Sequence, residues 1–593
     1  MNDVQVNEGA AGTATAAVGA GAETAPSATT ATAAGAATVP TTVTTPSAMP
    51  AAGLGASQVV ELVDFHWSRT TLYLEVNPAT PFTPEDKILL RRPRETFDED
   101  GNKLASNVVL GESFYEGPTS WRVRPIVAYH DRAIPFGEFD AFIVREGKEL
   151  PLVMASFCRR SGELAVHRDD ALLYYKTGHH YEILIYPNDE GQAHFEVLGR
   201  GPKMAHYSPK GQLKISLVNF VRGVHGALWT RTERRFKKHA KQHNKIVFTS
   251  DRRSEIGGNM EPLLRRMEER GITKDYKVVY DFTNEKGSRG IGAYLKLAWD
   301  LATAKVIFCD DYQLTLYRAD YQKGTRIVQL WHACGAFKTV GMGRIGTLDA
   351  VSPFAESHRC YTDVIVAAEK DEPIYAEAFG IPESRVKALG IPRHDWILNL
   401  AWQEEKKAFF KKIFPGAAGK RVIVFAPTFR GAGKNSAYFD YNYLDLEALG
   451  AACRKNNWFL ILKMHPFITQ MPSIPAEYAD IVVDGSAIPE INDILPSTDV
   501  LVTDYSSTCY EAALLDIPTL YYVFDLNNYV ATRNFYEDFE SFVSGKIVYT
   551  QDELTAAIEQ DDFDLGRLQA FKAKSFKYLD GKACDRIIDE VLL

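Results

Sequence analysis

The residues best suited to chemistry sit where apolar runs end. Residues 499–522 read DVLVTDYSSTCYEAALLDIPTLYY, an apolar run that enters Asp504, Tyr505, Ser506, Ser507 and Thr508 and then a helical opening. A helix start leaves N–H groups free, and with the helix dipole they favour an anion. One hydroxyl is enough for a plain cap, whereas Ser506, Ser507 and Thr508 stand together, as a diphosphate cradle would use them; capping and anion binding both fit. In IVQLWHACGAFKTVGMG, residues 327–343, an apolar run ends at Trp331-His332 and a loop carries Gly335, Lys338, Gly341 and Gly343. An imidazole there suits a general base at neutral pH. In FLILKMHPF, Lys463 and His465 alternate with apolar neighbours and share a face. Thr428 and Arg430 follow the run VIVFAP, and arginine is the natural bidentate phosphate ligand. Arg393, His394 and Asp395 follow LGIP. Cations to hold a diphosphate, a base to deprotonate an alcohol and fixed charge at the leaving group are what phosphoryl transfer requires.

These residues need strands to position them. From Lys245 onward apolar strands alternate with helical stretches in two series, KIVFTS to DVIVAAE and then RVIVFAPTF to KIVYT. Continuously apolar strands are read as buried and parallel, so the fold class is α/β, with two doubly wound Rossmann-like domains over 246–400 and 401–593 and a cleft between them. Ligands in such sheets bind beyond the carboxyl ends of the strands, where all the motifs above lie. Residues 58–211 alternate short strands with turns such as DEDGN and PNDEG, which predicts an antiparallel β-sandwich or open barrel, either an acceptor-holding module or, the reading favoured, a packing and spacer module. Residues 1–57 are Ala, Thr, Gly and Pro with few large side chains, which predicts a disordered low-complexity tail. Residues 212–245 join apolar positions to a cationic run from Arg231 to Lys245, a basic amphipathic linker helix that fits either a membrane surface or a solvated connection.

Composition excludes several classes. A net charge of −9 argues against a general nucleic-acid binder. Seven scattered cysteines without a CxxC pair suggest neither a disulfide framework nor a zinc site, and a reducing cytosol fits. No apolar run is long enough to span a bilayer and the first residues lack signal-peptide character. Neither GxGxxG nor GxxxxGK[ST] follows a strand, and acidic residues do not cluster at ligand spacing, so no metal is demanded.

The ordered set QLWH…K, GIPR.D, APTFR, KMHP, TDYSS and NFYEDFE, within residues 245–580, resembles the CDP-glycerol glycerophosphotransferase family, the teichoic-acid and capsule polymerases and primases of glycosyltransferase-B-type fold. The resemblance implies that a hydroxyl of a lipid-linked or growing polymer attacks CDP-glycerol, or a similar CDP-polyol donor, and releases CMP, with no tightly bound cofactor. It implies His332 as base, His465 on the diphosphate, Ser506 and Ser507 on phosphate oxygens, and Arg430 at the family's arginine. Thr428, Lys463, Thr508 and Asp504 join the diphosphate or nucleotide site, Asp504 by orienting the serine loop. Lys338, Arg393, Asp395 and Asp538 are further candidates on the acceptor or phosphate, and Asn534, Phe535, Tyr536 and Glu537 beside Asp538 are expected to border the nucleotide or acceptor site. The resemblance also implies a cytoplasmic enzyme, peripheral on the inner face of the membrane, with 212–245 as the candidate contact. One departure is WHACGAFK where many relatives read WHGTPLKK, so Gly335 falls two residues late and substrate choice is open. A sugar-nucleotide glycosyltransferase of the same fold and a non-catalytic polymer- and membrane-binding scaffold are the alternatives.

Overall fold

A computed structural model describes residues 59–95, 103–128, 130–155, 172–176, 179–200, 242–283, 291–319, 321–345, 351–431, 436–532 and 535–593. The tail expected at 1–57 and nearly all of the basic stretch at 212–245 lie outside the described residues. Lys245 itself opens a strand, and its ammonium is buried against Asp300 (2.8 Å) and Thr303 (2.6 Å). It therefore belongs to the core of the following domain and not to a cationic surface.

Eleven strands between Val60 and Arg200 form one connected ladder. Alternate residues such as Val60, Leu62, Leu72, Leu74, Ile88 and Leu90 are buried in a single core, as period-two side-chain alternation requires. The pairing is antiparallel except that Val60–Ser68 lies parallel to Lys148–Met154, where the intervening strands provide the long crossover that a parallel pair needs.

Two six-stranded parallel sheets follow. The first runs Lys277–Phe282, Lys245–Ser250, Val306–Cys309, Arg326–Gln329, Asp363–Val366, Val386–Ala388. The second runs Val482–Asp484, Trp458–Leu462, Arg421–Phe425, Val500–Thr503, Thr519–Tyr522, Lys546–Val548, the strand order 3-2-1-4-5-6 of a Rossmann sheet. Its order reverses between Arg421–Phe425 and Val500–Thr503, and the loops leaving those two strands carry Thr428, Arg430, Asp504, Ser506 and Ser507. Buried strands such as Val306–Cys309 and Val500–Thr503 are apolar on both faces because helices cover both.

The two halves are not sequential blocks. The last helix, Ala583–Leu592, returns to the first sheet, where Cys584, Ile587, Ile588 and Val591 pack with Ile246, Phe248 and Leu263. Asp395 secures the return: its carboxylate accepts from the N–H groups of Ala583 and Cys584 (both 2.8 Å) and so satisfies two free donors of that helix. A further core joins the halves directly, with Cys334, Phe337 and Ile391 against Tyr505, Cys509 and Tyr510.

Candidate functional site between the two parallel sheets

The strand Arg326–Gln329 ends in a turn that sets His332. Trp331 has φ +50°, a left-handed conformation costly for a bulky residue, and strain of that kind persists only where surroundings enforce it. Here the buried Gln329 side chain accepts from the Trp331 N–H (2.8 Å), and buried Asn259 donates to the carbonyls of Leu330 (3.0 Å) and Trp331 (2.8 Å). Arg393 donates to the carbonyl of His332 (2.8 Å) and pairs with Glu511 on the other half. Arg393 thus positions the histidine's backbone and is not among the residues lining the cleft.

His332 Nδ1 lies 3.2 Å from the carbonyl oxygen of Asp310. A carbonyl only accepts, so Nδ1 carries the hydrogen and Nε2 keeps its lone pair. Burial, seconded by the charge of Arg252, pulls the imidazole pKa down to about 3. The ring is therefore neutral at physiological pH, with Nε2 able to accept a proton.

His465 shows the opposite tautomer. The N–H of Phe467 donates to Nδ1 (3.1 Å), so in the neutral ring Nε2 carries the hydrogen. Burial, then the charges of Lys338, Arg252 and Lys463, lower its pKa to about 4. It is a neutral N–H donor, braced between Phe429 and Phe467 (both 4.7 Å between ring centroids).

The serine joint opens the helix Thr508–Leu514. Ser507 occupies the cap position but makes no capping hydrogen bond, while the Ser506 hydroxyl accepts weakly from the Thr508 N–H (3.3 Å) and donates to the Thr508 hydroxyl (3.0 Å). Thr508 is thus engaged with Ser506, whereas Ser506 and Ser507 line the cleft. Asp504, expected to orient the serine loop, ties down the neighbouring loop: it accepts from the N–H (2.8 Å) and hydroxyl (2.9 Å) of Thr428.

Arg430 departs from expectation. Its guanidinium is buried, bonded to Asp504 (2.7 Å) and to both oxygens of Asp525 (2.7 and 2.8 Å), and ringed by Phe439, Tyr505, Phe524 and Tyr529 at 5.2–5.8 Å. Burial depresses its pKa, but the two carboxylates outweigh that and hold it charged. Its donors are spent inside the protein, so it braces the loops that carry Thr428 and Asp504 from behind. Lys463 is buried, with a pKa lowered by burial, and it too stands outside the cleft lining. Asp395 caps the returning helix, and exposed Asp538 caps the helix Phe539–Phe542 by accepting from the Ser541 N–H (3.0 Å). Neither reaches the cleft.

One cleft of about 350 Å³ gathers the rest: Arg252, His332 and Lys338 from the first half, Thr428, His465, Ser506 and Ser507 from the second, with Tyr529 and Tyr536 on the wall. Lys338 donates to the Tyr529 hydroxyl (2.8 Å), bridging the halves at the cleft. The loop behind it needs its glycine. Gly335 has φ +62°, and a Cβ there would stand 2.1 Å from the Tyr510 ring, so this loop docks on the helix of the opposite half only without a side chain. Sequence reasoning missed Arg252, Asn259, Gln329 and Tyr529, whereas Tyr536, in the NFYEDFE motif, does line the cleft; the placement of Arg252 just past the first strand of a sheet was the one available signal.

Two Rossmann-type sheets meeting at a cleft lined by neutral imidazoles, hydroxyls and cations define a double-Rossmann α/β protein with its candidate site between the sheets. The chain belongs to the family described as CDP-Glycerol:Poly(glycerophosphate) glycerophosphotransferase, whose profile matches residues 231–593. It is 40% identical over 353 residues to the teichoic acid ribitol-phosphate polymerase TarL of Staphylococcus aureus, covering 59% of this chain and 62% of that protein. It is 32% identical over 392 residues to a teichoic acid ribitol-phosphate primase of Bacillus spizizenii, covering 64% of this chain and 97% of that one. A structure of the wall teichoic acid polymerase TagF soaked with CDPG superposes with a TM-score of 0.52 at 18% identity, covering 65% of this chain and 98% of that one, a likeness of fold. The chain spans 62% of TarL and 60% of the poly(ribitol-phosphate) polymerase of Bacillus spizizenii. No helix among the described residues is long and apolar enough to cross a membrane.

Proposed function

We propose that this protein transfers a polyol phosphate from a CDP-polyol to a hydroxyl of a teichoic-acid-type acceptor, with release of CMP. The observation that carries the reading is the meeting of His332, His465, Ser506 and Ser507 on one cleft between the sheets. The acceptor hydroxyl gives its proton to His332 Nε2 while its oxygen bonds to the phosphorus that bears the polyol. The bond from that phosphorus to the bridging oxygen breaks, and CMP leaves with the electron pair. His465 Nε2–H, the hydroxyls of Ser506 and Ser507 and the ammonium of Lys338 are placed to hold the oxygens on which charge builds.

The polyol is ribitol in this reading, which revises the glycerol donor expected from the sequence. The support is that relatives 40%, 39% and 36% identical are named as ribitol-phosphate polymerases, whereas those named as glycerol-phosphate primases are 26% identical. Polymer extension is favoured over priming on the same ground. A lipid-linked acceptor, a site of action on the inner membrane face and contact through residues 212–245 complete the proposal. Its test is incubation of the purified protein with CDP-ribitol or CDP-glycerol and a lipid-linked primer, with the nucleotide product identified. CMP released faster from CDP-ribitol supports the reading. Release of a nucleoside diphosphate from a sugar nucleotide would point to a glycosyltransferase, and no product from any donor to a scaffold.

A further inference from the structure

The family match begins at residue 231, so it assigns nothing to the eleven-stranded domain before it. That domain was expected to be a spacer, yet one of its hairpin turns reaches the cleft wall. Arg69 and Thr70 form the tip between Val60–Ser68 and Thr71–Val76, with Arg69 at φ +54°. Both grip Glu377 on the helix Glu372–Phe379: the Thr70 N–H (3.1 Å) and hydroxyl (2.7 Å) donate to one carboxylate oxygen, and Arg69 Nε (3.1 Å) to the other. Glu377 is buried, and a buried carboxylate without partners is costly, so this grip fixes the turn against the first parallel domain.

From that anchor the Arg69 guanidinium lies over the ring of Tyr536, 5.0 Å from its centroid, and approaches the Tyr536 carbonyl at 3.5 Å. Tyr536 belongs to the other half of the molecule and lines the cleft. Its hydroxyl accepts from the N–H of Val340 (3.2 Å) and lies 3.3 Å from the carbonyl of the same residue, and its own N–H donates to the carbonyl of Phe337 (3.1 Å). These bonds flank Lys338, the cation on the cleft wall. Further along the same segment, Met342 is buried in the core of the eleven-stranded domain. A Cβ on Gly343 would stand 2.5 Å from the Tyr536 hydroxyl, so this segment closes on the tyrosine with little slack.

We propose that Arg69 is a positioning residue for the cleft, and that the N-terminal domain holds the Lys338-bearing loop in register for phosphate through Tyr536. The catalytic part rests on the proposed transfer reaction; the positioning part does not. Arg69 touches no reacting atom. It fixes a ring that fixes a peptide, two residues from the ammonium that meets the donor.

Two measurements on the full chain test this. The first is hydrogen–deuterium exchange over residues 337–345 in the wild type, Arg69→Ala and Arg69→Lys. Faster exchange at the Val340 amide in Arg69→Ala, with partial recovery in Arg69→Lys, is expected; wild-type exchange in Arg69→Ala overturns the proposal, whether or not the protein turns over. The second is CMP release in a double-mutant cycle of Arg69→Ala with Tyr536→Phe. Each single change is expected to lower kcat/KM about five- to tenfold through loosened positioning, and the double variant to fall little further than either. Additive losses, or losses that merely follow the melting temperature, overturn it, because a role confined to stability would produce those. Arg91→Ala, which removes an exposed ion pair with Glu149 in the same domain, is the control expected to leave turnover unchanged. A wild type that releases no CMP from either donor refutes the transfer reading alone, and the exchange result still decides the positioning.

Discussion

Replacing Arg430 with methionine separates a brace from a ligand. The guanidinium is 7% exposed and pairs with Asp504, 1% exposed, and Asp525, 18% exposed. Its removal leaves two carboxylates facing each other in a low-dielectric pocket walled by Phe439, Tyr505, Phe524 and Tyr529. Breaking a buried pair from one side costs about 3–5 kcal/mol. At about 2–4 °C per kcal/mol for a unit of this size, the melting of the second half should fall by roughly 10 °C. The assay is a thermal melt of the full chain beside CDP binding. Neutralising the partners in Arg430→Met/Asp504→Asn/Asp525→Asn should return much of the loss, because the cost lies in stranded charge and not in lost volume. A direct phosphate ligand would behave in the reverse way: Arg430→Met would melt like the wild type, bind CDP weakly, and gain nothing from the added amides. That outcome would refute the assignment of Arg430 as a brace.

Other perturbations follow from the same geometry. His332→Ala should lower kcat about 10²–10⁴-fold, the range of a general base, and leave CDP binding within about twofold; equal losses of both would place His332 in binding instead. Because burial holds His332 down at about 3, it is already neutral at mildly acidic pH, so kcat/KM should show no inflection between about pH 5.5 and 7.5. An acid limb centred near about 6.5, the ordinary histidine value, would contradict its burial. Stability should respond differently over the same range. His332 and His358, lowered to about 3 and about 4, and the fully buried His394 take up protons only on unfolding, so their contribution is complete above the unfolded value and is lost as pH falls toward the folded ones. Each should cost roughly 1 kcal/mol between pH 7 and about 5.5, visible as a falling melting temperature. Gly335→Ala combines a positive φ with a clash against Tyr510, so it should weaken the contact between the halves and turnover together; wild-type behaviour of both would contradict the docking of that loop.

The sheets were readable because a buried parallel strand is apolar on both faces, and Val306–Cys309 and Val500–Thr503 are. The site was readable where a polar cluster directly follows such a strand, as His332 and Ser506-Ser507 do. Strand-end logic failed where a distant partner claims the side chain. Arg430 stands where a phosphate ligand should, but Asp525, far along the chain, takes it, and Asp395 is taken by the N-terminus of the last helix. The return of Ala583–Leu592 to the first sheet had no local signal, since an amphipathic helix does not specify which core it joins. Neither did the left-handed turn at Trp331, which is enforced by Asn259, nor the reach of Arg69 to Tyr536. Tertiary contacts of this separation carry no periodicity for a sequence reader to find.

The most direct measurement is a crystal structure of His332→Ala with CDP-ribitol bound. The expected result is a diphosphate inside the cleft, with oxygens on His465 Nε2 and on the hydroxyls of Ser506 and Ser507, and with the missing imidazole's place open to the polyol-bearing phosphorus. A nucleotide seated away from Ser506 and Ser507, or a diphosphate on the far side of the molecule from residue 332, would contradict the site.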